Sequence, residues 1–121
     1  MHETLPETHD AFVALRLRGK LDEEDYRTIV PLLKDRIARH GKIALFWEMQ
    51  DFGGWTPGGL WADTKFDVAH ANDFTRIALV GEKKWHEWMT MVMKPFTSAE
   101  VRYFDESERQ AALKWAQQPA T

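Results

Sequence analysis

Asp63, Asp67 and His70 follow one another at intervals of four and three, which places them on one face of a helix. Two carboxylates and an imidazole so arranged can hold a hard divalent metal or work as an acid–base set. The same spacing also describes an ordinary solvated helix face, and no other segment offers completing ligands. No metal and no cofactor is therefore predicted. Trp85-His86-Glu87-Trp88 sets a histidine beside a carboxylate. Neighbouring helical residues point in different directions, so His86 reads as solvent-exposed rather than catalytic. Ser98 and Ser107 lie near turns, and neither occupies a Gly-x-Ser-x-Gly elbow. With no cysteine, thiol nucleophiles, thiolate metal sites and disulfides are absent. Gly53, Gly54, Gly58 and Gly59 match neither a phosphate loop nor a dinucleotide fingerprint. These readings predict a protein that is not an enzyme.

Tryptophan is the residue that exceeds expectation, with 6 in 121 positions. Each indole carries a large apolar surface and one N–H donor that wants a partner. Trp47 falls on a central strand, Trp55 and Trp61 at the start of a second helix, and Trp85 and Trp88 on a third. In open α/β sheets the carboxyl edge of the strands is where ligands usually bind. The predicted site is an apolar pocket at that edge, between the second and third helices, lined by Trp47, Trp55, Trp61, Phe66, Trp85 and Met89. Core packing alone would use the same side chains.

The elements that must position these residues read as repeated strand-helix units, an α/β pattern. Residues 11–18 alternate as a strand, with Val13, Leu15 and Leu17 on one face and Arg16 and Arg18 on the other. Gly19 ends it, and a segment near Glu3 to Pro6 offers an edge strand. Asp22 is an N-cap, and Tyr26, Ile29, Val30, Leu33 and Ile37 form the stripe of a helix that Gly41 stops. Pro31 predicts a bend within it. Ile43 to Met49 reads as a central buried strand and 51–55 as a loop. Thr56-Pro57 caps a helix reaching about Asn72, whose start Gly58-Gly59 should leave loose, at about 1 kcal/mol per glycine. Arg76 to Val80 and Glu100 to Phe104 are further strands. Asp105 with Glu108 forms a capping box before a helix carrying Ala112, Trp115 and Ala116.

The whole chain, 1–121, is read as a single domain with residues 1–10 and 119–121 as flanking tails. At 44% hydrophobic and 12% aromatic it is too apolar for disorder. No apolar run approaches the ~20 residues of a transmembrane segment, and no secretory leader is visible, so a cytoplasmic location is expected. Sixteen basic residues against 19 acidic leave a net charge of −3, which argues against a nucleic-acid partner.

Taken in order, Gly19-Lys20-Leu21, Asp25-Tyr26, Pro31, Gly41-Lys42-Ile43, Phe52-Gly53-Gly54-Trp55, Trp61 with Asp63, Lys65 and Phe66, Arg76 to Gly81, Trp85, Val101 to Phe104 and Ala111 to Trp115 resemble the SpoIIAA-like family of the STAS and SEC14-like fold. That resemblance implies a mixed sheet of four or five strands with four helices. Phosphorylation-switched STAS proteins carry a serine in an Asp-x-Ser-like turn, whereas this chain has Asp51-Phe52-Gly53 there, so no such switch is expected. The SEC14-like side of the fold implies a nonpolar or lipid-like ligand. The two functional expectations are a small nonpolar or amphipathic ligand in the tryptophan-lined pocket and, alternatively, a protein-interaction module or homodimer.

Overall fold

In a computed structural model of the 121-residue chain, residues 1–85 and 99–118 are described here. His86, Trp88, Met89 and Ser98 of the sequence reading lie outside them.

The sheet has five strands in the order β1-β2-β3-β4-β5. They are His2–Thr4, Phe12–Leu21, Ile43–Trp55, Phe74–Val80 and Glu100–Phe104. β1 runs antiparallel to β2, and the other three pairings are parallel, which makes the sheet mixed. Helix α1 spans Glu23–His40, α2 Pro57–Ala69 and α3 Arg109–Gln117. A 3-10 turn, Glu106–Glu108, precedes α3, and residues 83–85 also have helical backbone. The first ten residues, expected as a tail, contribute β1 and the buried Leu5. Asp25 on α1 binds both the N-terminal ammonium at 3.2 Å and His2 Nδ1 at 2.6 Å, which fastens that edge strand down.

Strand alternation sorts the core into two layers. Val13, Leu15 and Leu17 of β2, Leu45, Trp47 and Met49 of β3, and Ile77 and Leu79 of β4 face α1 and α2. Phe12, Ala14, Phe46, Ala78 and Val80 face α3, where Ala112, Leu113, Trp115 and Ala116 cover them. Arg16 Nε and Arg109 Nε both reach the buried carboxylate of Glu48 on that second face, at 3.0 and 2.9 Å.

Local chemistry explains most boundaries. Asp22 and Asp25 form a reciprocal capping box, Gly41 closes α1, and Thr56 accepts from the Gly59 amide with Pro57 in the first turn of α2. Pro31 sits inside a single unbroken helix. Three expectations change. Gly19 does not end β2; at φ +58° it carries the strand through a register irregularity to Leu21. Residues 51–55 are not a loop but the end of β3, paired with β2 as far as Leu21↔Trp55. The double glycine does not loosen α2 either. A Cβ on Gly59 would collide with the Leu21 carbonyl oxygen, and one on Gly58 with the Glu23 carboxyl group. Both glycines let the first turn of α2 press against the β2–α1 junction, where Thr56 N–H also donates to Leu21 O at 2.9 Å.

Candidate functional site

The parallel strands β3 and β4 lay Leu45, Trp47, Ile77 and Leu79 flat beneath α1 and α2. A cavity remains between these layers, closed laterally by Ile29, Leu33, Phe66 and Phe74. The space that water centres can reach inside it is about 30 Å³. That is room for about two waters, or for one end of a larger molecule. Its wall is apolar except at one side, where Tyr26, Asp63, Asp67 and His70 converge.

That polar side is built by two helices running alongside each other. Tyr26 belongs to the buried stripe of α1, and Asp63, Asp67 and His70 follow the turn spacing of α2. The Tyr26 hydroxyl donates to Asp63 Oδ1 at 2.7 Å and accepts from Trp55 Nε1 at 2.8 Å. Asp63 and Asp67 interact with each other electrostatically. Burial, and then the charge of Asp63, pushes Asp67 up to about 9, so Asp67 holds its proton at neutral pH. Burial also raises Asp63, against the hydrogen bond from Tyr26. The tyrosine is raised above its ordinary value by burial and then by the Asp63 charge, so it stays a neutral donor. His70 Nδ1 lies 2.7 Å from Asp73 Oδ2, and its ring stacks on Phe66 with centroids 4.4 Å apart. The solvated face expected for Asp63, Asp67 and His70 is thus a half-buried contact with α1. Among the described residues no cluster of three or more His, Asp and Glu is placed to hold a metal ion.

Outside the cavity a groove of about 440 Å³ runs between the exposed sides of α1 and α2. Tyr26, Val30, Phe66 and His70 line both spaces and form the threshold between them.

The six residues of the predicted pocket divide among three places. Trp47 and Phe66 line the cavity. Trp61 stands 70% exposed on the groove. Trp55 and Trp85 pack edge-on against Phe52 and each other, with centroids 5.0, 5.0 and 6.2 Å apart, near the carboxyl end of β3. Met89 lies outside the described residues. The cavity itself is under α1 and α2 near the middle of the sheet, not at its carboxyl edge between the second and third helices. Trp55 reaches it through Tyr26, to whose hydroxyl its indole N–H donates. Sequence reasoning passed over Tyr26 as core and gave Asp63 and Asp67 to solvent. A hydroxyl within an apolar stripe, facing a carboxylate pair on the next helix, is the signal that marks this contact.

A five-stranded mixed sheet with crossover helices α1 and α2 on one face and α3 on the other defines a small α/β domain of SpoIIAA-like architecture. The sequence profile of the SpoIIAA-like family matches residues 12–117, and the chain belongs to that family. It is similar to a crystal structure described as an uncharacterized protein of the DUF3478 family with a SpoIIAA-like fold, from Shewanella loihica PV-4. The two share 28% identity over 96% of this chain and 92% of the other, with a TM-score of 0.76. No curated protein matches the chain. Among the described residues no helix is long and apolar enough to cross a membrane.

Proposed function

We propose that this domain binds a small nonpolar or amphipathic molecule between α1 and α2, its apolar end in the cavity and the remainder in the groove. Trp47 carries the proposal. It is only 5% exposed, lines the cavity, and its buried Nε1–H has no hydrogen-bond partner among the described residues. Leaving such a donor unsatisfied costs about 1–3 kcal/mol, so an acceptor oxygen entering the cavity would recover that cost. The groove alone has the volume of an ordinary small-molecule site. Binding without catalysis is the proposed role, because no serine or threonine nucleophile accompanies the acid pair among the cavity-lining residues.

Native mass spectrometry and tryptophan fluorescence against single-chain alcohols and fatty acids test this reading. Saturable fluorescence change with retained ligand mass supports it. No retained mass and no change in fluorescence overturn it.

A second reading rests on Trp61 and Val68, seven residues apart on α2 and 70% and 56% exposed. Such an apolar pair on one helix face suits a protein contact, including a second copy of this chain. Light scattering after size exclusion decides it: a strict monomer at high concentration removes the homodimer.

A further inference from the structure

The charge along the groove bears on which molecule it would take. α1 presents Glu23, Arg27, Val30 and Lys34 to it, and α2 presents Trp61 and Lys65. Among the described residues Glu23 is the only carboxylate in the lining, and it sits at the end marked by Gly58. Lys34 lies eleven residues further along α1, about 16 Å away at the rise of an α-helix. Arg27 has a long contact with Glu24, at 3.9 Å. Neither Lys34 nor Lys65 has an ion pair among the described residues. Lys34 and Lys65 line the groove together with Val30 and Phe66 of the threshold, so both cations border the space outside the cavity.

We infer that the groove selects an anionic head group, so that the ligand is a single-chain amphiphile whose charged oxygens meet Lys34 and Lys65 while its chain passes Phe66 and Val30 into the cavity. The inference rests on the binding reading above and adds the sign of the ligand's charge. A lone exposed cation contributes little, but two converging on one head group over an apolar threshold give a measurable preference.

Calorimetry on the full chain at pH 7, with decanoate, decanol and decyltrimethylammonium, separates the possibilities. Decanoate should bind about tenfold tighter than decanol, and the cationic amphiphile more weakly than either. In the double variant Lys34→Gln, Lys65→Gln, decanoate should fall to the affinity of decanol, while decanol binding stays unchanged. The preference should also shrink as salt rises from about 20 to about 300 mM. Equal affinity for decanoate and decanol, or a preference that survives the double substitution, overturns the head-group inference alone. Failure of all three to bind overturns the cavity reading with it.

Discussion

Tyr26 and Asp63 tie α1 to α2 through one hydrogen bond of 2.7 Å, and the same tyrosine oxygen receives the Trp55 indole N–H at 2.8 Å. One hydroxyl therefore satisfies a donor from β3 and an acceptor from α2. Tyr26→Phe leaves both without it inside a packed layer. Unfolding in urea should show a loss of about 1–3 kcal/mol. Asp63→Asn keeps an acceptor in place and should cost under about 1 kcal/mol. Equal losses for the two variants would show that the hydroxyl is not what holds the contact.

The acid pair gives stability a pH dependence of definite sign. Asp67 titrates near 9 in the folded chain, against about 3.9 when unfolded. Between those values the folded state holds the extra proton, so stability falls as pH rises, by at most about 1.4 kcal/mol per unit, and levels off above 9. Asp67→Asn supplies an uncharged donor to Asp63 at every pH. Thermal midpoints of the parent should drop by several degrees between pH 6 and 9, and those of Asp67→Asn should drop less, with Asp63 left to titrate. Parallel curves would remove the raised Asp67 from the account.

Much of the frame is legible in the residues because caps and alternation act locally. Asp22, Thr56-Pro57, Gly41 and the Glu100–Phe104 strand all follow from neighbours within a turn or two. The end of β3 does not, since Asp51-Phe52-Gly53-Gly54 has turn composition and becomes strand only by pairing with the end of β2. The site is harder still. Spacing puts Asp63, Asp67 and His70 on one face of α2, but only the packing of α1 decides whether that face is wet. Nor can composition separate a tryptophan that fills space from one that borders it, and Trp47, Trp55 and Trp61 fall into three different environments.

Gly58 and Gly59 are adjacent yet should respond differently to alanine. At Gly58 the obstacle is the far end of the Glu23 side chain, which can swing away, so Gly58→Ala should be neutral or gain up to about 1 kcal/mol of helix propensity. At Gly59 the obstacle is the Leu21 carbonyl, part of the β2 backbone. Gly59→Ala must push α2 off that junction and should lose about 2 kcal/mol or more. Denaturant midpoints compare the two directly, and a tolerated Gly59→Ala would contradict the close packing described.

On the opposite face, Glu48 is 7% exposed and carries Arg16 and Arg109 on its two oxygens. Glu48→Gln leaves two guanidinium groups sharing one carbonyl, with an amide NH₂ facing a cation. The arginines retain some solvent, so the loss should fall near 2 kcal/mol, below the about 3–5 of a fully buried pair. A change under about 0.5 kcal/mol in chemical denaturation would make the network ornamental to stability.

Trp47→Phe tests the cavity through a donor that has no acceptor among the described residues. Phenylalanine keeps the ring against Leu45, Ile77 and Leu79 but deletes the N–H and part of the volume. The lost burial, about 1–2 kcal/mol, is offset by removing an unsatisfied polar atom, so stability should change by less than about 1 kcal/mol. Binding should respond differently, because the ligand oxygen that would accept from Nε1 loses its donor. Affinity for a single-chain alcohol should fall about five- to tenfold, the range of one buried hydrogen bond. A large loss of stability with unchanged affinity would mean that Trp47 is core alone and that its indole N–H plays no part in recognition.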